Sequence, residues 1–276
     1  MDPEYFLQIE ETIMSSGMSS YALSYMVLYH PKLVLPRYGN SSTRYVDRRD
    51  PVKSNPIGKQ QDKSNTSAGR GCDRSKIDTV TIHIMELARN SDETRFDGVN
   101  AHFAVLRSGT VLHLHDESEY LFASHDFNCR SIAVEFEGNY PYKQQKNGQY
   151  LWWSDTYPTP RSKQDGPTVD QIVAGRALVK YFRDRHKIQN IFAHRQSCGK
   201  VCPGPHLWFN IVKWGVEKLG LNDGGPGYTT SNDHCSGSII PSHWRDEKWA
   251  IDLSKPFSNS TFSGPSPTHG NICIPP

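Results

Sequence analysis

Residues 77–85 alternate apolar and polar side chains, which is the pattern of a β-strand with one buried face. The aliphatic residues of this segment share one face, so His83 is predicted to point to the other. Residues 131–136 repeat the alternation and place Glu135 opposite the aliphatic face. Further strand-like runs are residues 101–107, 110–115 and 191–193.

Two longer segments carry helix signals. Thr168 and Gln171 form a capping box, in which the two side chains are predicted to satisfy each other's backbone N–H groups. The apolar stripe that follows predicts a helix to about His186. Residues 205–219 predict a last helix, which Gly220 ends. Strands and helices in this order indicate an α/β fold, with a mixed central β-sheet flanked by helices.

Composition divides the chain into four parts. Only 36% of the residues are hydrophobic, and the deficit lies in two polar segments that are rich in Ser, Asn, Gly, Pro and charge. We predict one packed domain over residues 75–221, preceded by an N-terminal helical extension (1–38) and a polar linker (39–74). A Gly/Ser/Pro-rich C-terminal extension (222–276) follows the domain.

The charge balance gives no reason to predict a nucleic-acid or membrane-surface partner, since 31 basic and 29 acidic residues leave a net charge of +2 at pH 7. No run approaches the roughly 18 apolar residues of a membrane span. The chain begins Met-Asp-Pro-Glu, so we expect no conventional signal peptide. The six cysteines are too few and too dispersed to predict a disulfide framework, and reduced thiols or one metal ligand are the expectation.

One loop carries the residues of half a metal site, because His194 and Cys202 flank Lys200. His83 is the candidate for a third ligand, since catalytic zinc sites take three protein ligands and leave a fourth position to water. Hydrolysis of an amide also needs a general base and a group that faces the oxyanion. Glu135 and Lys200 are the candidates for these two roles.

Each assignment has a structural alternative. His83 would be a strand histidine with an ordinary hydrogen bond, and Glu135 would belong to a structural ion pair. Cys202 would be a buried thiol or would form a disulfide, with Cys198 as a nearby partner. Cys198 is also the alternative metal ligand.

Five motifs follow one another along residues 75–220. They are His83 on a strand, His102-Phe-Ala-Val-Leu-Arg-Ser-Gly-Thr, Ala123-Ser-His125, Asn128-Cys-Arg-Ser-Ile-Ala-Val-Glu135-Phe-Glu-Gly138, and Ala193-His194-Arg with Lys200-Val-Cys202-Pro-Gly. As an ordered set they resemble the zinc-dependent N-acetylmuramoyl-L-alanine amidase family. This family includes phage amidase endolysins, bacterial muropeptide amidases and peptidoglycan recognition proteins.

The resemblance implies a single catalytic zinc domain in which Zn²⁺ binds His83, His194 and Cys202. It implies that Glu135 shuttles a proton and that Lys200 stabilises the oxyanion. The expected reaction is hydrolysis of the amide bond between N-acetylmuramic acid and L-alanine in peptidoglycan or muropeptides, as in cell-wall lysis or remodelling. The alternative is a non-catalytic peptidoglycan-binding module, but competent residues at all three ligand positions favour the enzyme.

Other polar and aromatic residues have weaker assignments. His102 and His125 are predicted to contact substrate or to brace the fold. His113 and His115 suggest a second metal, but no carboxylate or cysteine pattern supports it. Four aromatic residues could stack on sugars or could instead pack locally: Tyr140, Tyr142, Trp152 and Trp153.

The chain departs from the family pattern at two places. Relatives often have a second His or Cys and small residues where this chain has Ile84-Met85, and some phage enzymes have tyrosine where it has Ala101.

Three biological settings are compatible with the sequence. A phage endolysin or an effector passed through delivery machinery would act on the wall after lysis or dedicated secretion. The alternative is a cytoplasmic recycling enzyme, which reduced thiols would suit, whereas the extensions favour a delivered enzyme.

Overall fold

The fold is built on a six-stranded mixed β-sheet. The computed structural model describes residues 44–85, 90–138, 140, 143–144, 150–151, 166–199, 201–231 and 235–253. The strands are β1 (Arg44–Asp47), β2 (Thr79–Ile84), β3 (Phe103–Val105), β4 (Thr110–His113), β5 (Ser131–Phe136), β6 (Lys143–Gln144), β7 (Tyr150–Leu151) and β8 (Asn190–Ala193). The order in the large sheet is β1-β4-β3-β5-β2-β8, while β6 and β7 form a separate pair.

Helices pack against this sheet, as the α/β prediction required. They are α1 (Arg49–Ser54), α2 (Pro56–Lys59), α3 (Ser67–Arg70), α4 (Val169–His186), α5 (Gly204–Leu207) and α6 (Trp214–Leu219). A π-helical turn, Trp208–Lys213, joins α5 to α6, so the predicted last helix is one helical run with a wider central turn. Gly220 ends it in the left-handed conformation, with φ of 69°.

The strand directions bring three chain segments to one edge of the sheet. β5, β2 and β8 are parallel neighbours, so their carboxyl ends lie together. The register pairs His83 with Glu135 and Ile82 with Ala193, the residue before His194. Two sequence segments more than a hundred residues apart therefore deliver their polar side chains to the same place.

Both faces of β2 and β5 are buried, which differs from the prediction of one buried face. The aliphatic residues pack towards α4 and the helical run after β8. A second cluster of apolar residues, including Met85, Val99, Leu112 and Leu121, covers the opposite side. The alternation of the sequence thus separates two packed layers, and His83 and Glu135 are buried polar residues among them.

The polar segment before residue 75 contains regular structure where a linker was predicted. β1 pairs with β4 at the sheet edge, and Val52 of α1 is buried in the second cluster. Arg48 donates two hydrogen bonds to the Asp97 carboxylate, at 2.9 and 2.6 Å. The helices here have only four to six residues, which is too short for a hydrophobic period to emerge. The helical extension predicted over residues 1–38 lies outside the described residues.

The expectation of reduced thiols is wrong for four cysteines. Cys72 is bonded to Cys129, and Cys198 to Cys235. The partners are 57 and 37 residues apart in sequence, so only the fold brings them together. Cys202 is in neither disulfide.

The start of α4 keeps only half of its predicted capping box. The Thr168 hydroxyl accepts the N–H of Gln171 and donates to the carbonyl of Arg107. The Gln171 side chain instead turns into the core, where its amide donates to the carbonyls of Val105 and Glu137, at 2.9 and 2.8 Å. Gln171 therefore ties α4 to the ends of β3 and β5.

Gly175 marks the closest approach of α4 to the sheet. A Cβ atom here would lie 2.6 Å from two ring atoms of Phe136, whose side chain is fully buried. We expect Gly175→Ala to lower the free energy of unfolding by about 1–3 kcal/mol, because overpacking outweighs the roughly 1 kcal/mol that alanine adds to a helix. Urea unfolding would measure this, with Gly227→Ala, which has open space around it, as the control. A stability gain in Gly175→Ala would contradict this packing.

Candidate metal centre

The three predicted ligands come together at the carboxyl edge of the sheet. One ligand atom from each of His83, His194 and Cys202 lies within 4.8 Å of the other two, and all three residues are buried. The two imidazole rings have their centroids 4.5 Å apart. Two nitrogen donors and one sulfur donor are a set that suits zinc, and three such ligands leave a coordination position open.

Cys202 reaches this cluster from the loop after His194. The backbone N–H of Ile84 donates to the sulfur of Cys202 at 3.2 Å, and the N–H of Arg195 donates to the Cys202 carbonyl at 2.8 Å. An amide donor directed at sulfur favours the thiolate, which is the form that binds a metal. The alternative ligand Cys198 has its sulfur in the disulfide with Cys235.

The backbone around His194 is fixed by a tight turn. His194–Gln196 form a 3₁₀ helix directly after β8, and the Gln196 side chain accepts the N–H of Ala193 at 2.9 Å. The N–H groups of Ser197 and Cys198 both donate to the His194 carbonyl, at 3.0 Å. These bonds hold the histidine at the end of the strand, where the next strand, β2, presents His83.

Glu135 lies beside the cluster. Its Oε1 atom is 4.0 Å from Nδ1 of His83, and its side chain is 5% exposed. This position follows from the parallel register, since His83 and Glu135 are direct partners on β2 and β5. A carboxylate this close to a candidate metal ligand is suited to accept a proton from a water molecule bound beside it.

Ser124 is a site residue that the sequence interpretation missed. Its hydroxyl lies 3.4 Å from Nε2 of His83, and its N–H donates to the Asn128 side chain at 2.6 Å. Ser124 therefore orients the His83 ring from a second side, as partners of metal-binding histidines commonly do. Its signal in the sequence was its place beside His125 in the third motif.

His125 and His102 occupy different surroundings. The His125 ring stacks on His194 with a centroid distance of 5.3 Å, and its backbone has φ of 49°. His102 is instead held by the backbone, because its Nδ1 accepts the N–H of Ala133 at 3.0 Å and its Nε2 lies 3.0 Å from the Glu119 carbonyl. These contacts give His102 a bracing role.

His102 is kept neutral by its surroundings. Burial, and then the nearby Arg74 guanidinium, hold the pKa of His102 well below its usual range. The neutral form is therefore favoured in the folded state, so stability is fully present above the unfolded pKa of about 6.5 and is lost as pH falls below it. This protonation costs up to about 1.4 kcal/mol of folding free energy for each pH unit below 6.5. We expect the His102→Asn variant, which has no imidazole here, to be free of that cost.

Denaturant unfolding at pH 7 and pH 5.5 would measure the effect. The exposed His243 provides a control, and His243→Asn should keep the wild-type pH dependence. An unchanged pH dependence in His102→Asn would show that His102 titrates alike in both states.

The remaining predicted site residues are Lys200 and the four aromatic residues that could contact sugars. Lys200, Tyr142, Trp152 and Trp153 lie outside the described residues. Tyr140 is buried, and its hydroxyl donates to the Glu137 carbonyl and contacts the Gln171 side chain, so it belongs to the core. Its ring is not available to stack on a sugar.

His113 and His115 each contact a glutamate four residues later. Nε2 of His113 is 3.3 Å from Glu117, and Nδ1 of His115 is 2.7 Å from Glu119. Within the described ranges, neither histidine belongs to a group of three side chains with ligand atoms close enough to share an ion. The geometry gives the second-metal reading no support.

The described helices also bear on the membrane question. Within the described ranges, none has both the length and the apolar character that a membrane crossing requires.

Comparisons with known proteins give one sequence-profile match and several matches to solved structures. LysCS, an endolysin N-acetylmuramoyl-L-alanine amidase from Clostridium intestinale, is 16% identical, has a TM-score of 0.39, and is matched over 54% of this chain and 88% of its own. The Ph2119 endolysin from a Thermus scotoductus bacteriophage is 13% identical, with a TM-score of 0.35 and coverage of 58% and 92%. Drosophila PGRP-LB is 13% identical, with a TM-score of 0.39 and coverage of 69% and 98%.

No curated protein sequence matches the chain. The sequence profile described as N-acetylmuramoyl-L-alanine amidase matches residues 73–205. This range contains all five motifs and the three clustered ligand residues. The match confirms the resemblance carried by those motifs, because residues 73–205 are similar to the N-acetylmuramoyl-L-alanine amidase family.

Proposed function

We propose that the protein is a zinc-dependent N-acetylmuramoyl-L-alanine amidase that hydrolyses the amide bond between the lactyl group of N-acetylmuramic acid and L-alanine. The observation that carries the proposal is the convergence of His83, His194 and Cys202 within 4.8 Å, in a segment similar to this family. We assign the catalytic domain to residues 75–221, which contain the matched segment almost entirely and end after α6.

The chemistry of the donor set supports zinc as the resident metal. Imidazole nitrogen and thiolate are both zinc ligands, and catalytic sites commonly keep three protein ligands and one open position. The Ile84 N–H that donates to Cys202 and the Ser124 hydroxyl near His83 orient two of the three ligands. When bound, zinc would supply a Lewis acid that polarises the scissile carbonyl and lowers the pKa of water.

The protein's own groups then carry the proton and the charge. Glu135, 4.0 Å from His83, accepts the proton of the attacking water and passes it to the leaving nitrogen of L-alanine. The family resemblance assigns Lys200, two residues before Cys202 in the sequence, to stabilise the oxyanion that forms when the carbonyl is attacked. His125, which stacks on His194, contacts the substrate beside the metal. His102 supports the strand from behind through the Ala133 amide.

The substrate class is peptidoglycan or its soluble muropeptides. A recognition module without catalysis would need neither the Cys202 thiolate nor the Glu135 carboxylate, and the presence of both at one site supports the enzyme. The two disulfides favour an oxidising compartment, because such bonds are rare in reduced cytosol. They therefore favour an enzyme delivered to the cell wall over a cytoplasmic recycling enzyme.

One experiment separates the possible functions. Purified protein is given intact sacculi and a soluble muropeptide, and the released stem peptide is identified by mass spectrometry together with the zinc content of the protein. We expect a peptide with a free L-alanine amino group, and we expect zinc removal by a chelator to abolish its release. Muropeptide binding without release would indicate a recognition module, and cleavage between two amino acids would indicate a peptidase.

A further inference from the structure

The C-terminal arm, which we define as residues 222–231 and 235–253, forms hydrogen bonds with the loop after His194. This loop connects His194 to Cys202, two of the three proposed ligands. The Gln196 carbonyl accepts the N–H of Thr230, and the Gln196 side chain donates to the Asp223 carbonyl, both at 2.9 Å. Arg195 accepts the N–H of Ser238 and donates its Nε to the Ile239 carbonyl, both at 2.8 Å. The arm therefore fixes the backbone directly after His194.

This arm is also anchored in the core. Ile240 and Trp244 are buried in the main apolar cluster, and the Arg195 guanidinium lies over the Trp244 ring. At the other end of the contact, Cys235 of the arm is bonded to Cys198 of the ligand loop. The arm is thus held by apolar burial at one point and by a covalent bond at another.

His125 lies against that covalent bond. One ring nitrogen of His125 and the sulfur atoms of Cys198 and Cys235 all lie within 4.8 Å of one another. The stack on His194 and the neighbouring turn hold the His125 ring in this position. Three soft or borderline donors therefore meet where the arm joins the loop.

We propose that His125, Cys198 and Cys235 form a second, redox-gated metal site that binds a thiophilic divalent cation such as zinc when the disulfide is reduced. A dithiol reductant breaks the Sγ–Sγ bond, yields two cysteine thiols and leaves as its own disulfide. Metal binding then forms two S–metal bonds and one N–metal bond, and it releases the two thiol protons. The metal replaces the disulfide as the link between arm and loop.

The geometry permits this exchange with little backbone movement. Zinc–sulfur and zinc–nitrogen bonds of about 2.3 and 2.0–2.1 Å place two ligand atoms of one ion no more than about 4.6 Å apart. The Cα atoms of the two cysteines are 5.2 Å apart, and rotation of their side chains after reduction separates the two sulfur atoms. His125 and Cys235 are partly exposed, so an ion has a path to the site.

The other disulfide lacks this arrangement and provides the matched control. Within the described residues, neither Cys72 nor Cys129 belongs to a group of three metal-ligating side chains within reach of one ion. Reduction of Cys72–Cys129 should therefore create no metal site. These two disulfides are predicted to differ, because reduction should create a metal site at Cys198–Cys235 and none at Cys72–Cys129.

Metal counting on the whole protein tests the proposal. Zinc per chain is measured on oxidised protein, and again after anaerobic reduction by a phosphine that is then removed. We expect one additional equivalent in the reduced form, and cobalt(II) in its place should give thiolate charge-transfer absorption of a two-sulfur site. Cys235→Ser and His125→Ala should each lose the additional equivalent, whereas the Cys72→Ser/Cys129→Ser double variant should keep it.

Equal zinc content in the oxidised and reduced wild type would overturn the proposal. So would retention of the additional equivalent in either Cys235→Ser or His125→Ala. The reduced Cys202→Ser variant separates this site from the proposed catalytic one, since it should still gain one equivalent on reduction. If the catalytic proposal alone were wrong, oxidised protein would bind no zinc while the reduction-dependent equivalent would persist.

Discussion

Replacing Glu135 by glutamine is expected to reduce turnover of muropeptide by about 10²–10⁴-fold while zinc stays bound. The amide keeps the size of the carboxylate but has no basic oxygen to take a proton from the attacking water. The metal ligands are unchanged, because Glu135 lies 4.0 Å from His83 and belongs to a different strand. Steady-state release of stem peptide and zinc content, measured on the same preparation, would check both parts.

Glu137→Gln is the matched control for a carboxylate at the end of the same strand. The Glu137 carboxylate accepts the N–H groups of Ser91 and Arg107, at 3.1 and 2.9 Å, and so fastens two loops. Its replacement should lower thermal stability with little effect on turnover of the folded protein. Similar losses of turnover in the two variants would show that Glu135 acts through the fold, and full activity in Glu135→Gln would remove it from the mechanism.

The sheet and the strand positions of the candidate ligands were predictable because their signals are local or periodic. Alternation located β2 and β5, and a short apolar run before His194 located β8. Parallel pairing of these strands then brings His83, Glu135 and His194 to one edge, which a sequence shows only through the order of its motifs. The burial of the sheet face that carries His83 was not predictable. The second apolar cluster, which covers that face, combines residues that come before, within and after β3 and β4 in the sequence.

The contacts that the sequence did not reveal are long-range and lack a period. The edge strand β1 and helices α1 to α3 lie in a polar stretch, where caps at Asn55 and Thr66 fix four-residue helices one at a time. Gln171 satisfied a capping motif but bonds instead with core carbonyls, because tertiary partners compete with local ones. Pairing of Cys198 with Cys235 depends on the path of the arm across the ligand loop.

Cys202 is the proposed third ligand, and its replacement is expected to have a large effect. We expect Cys202→Ser to weaken zinc binding by more than the roughly 10–100-fold that loss of an outer partner costs, and to abolish peptide release. A serine hydroxyl stays protonated at neutral pH, so the Ile84 N–H would face a neutral oxygen in place of a thiolate. Two imidazoles alone would remain to hold the ion.

Cys198→Ser is the comparison that makes this result specific. It removes a sulfur four residues away in the same loop and breaks the bond to Cys235, but it leaves His83, His194 and Cys202 in place. Competition with a chromophoric chelator, on oxidised protein, should therefore find tight zinc in Cys198→Ser and weak zinc in Cys202→Ser. The reverse order would make Cys198 the ligand, and equal weakening would mean that the loop's conformation, fixed by the arm, controls zinc affinity more than the identity of either thiol.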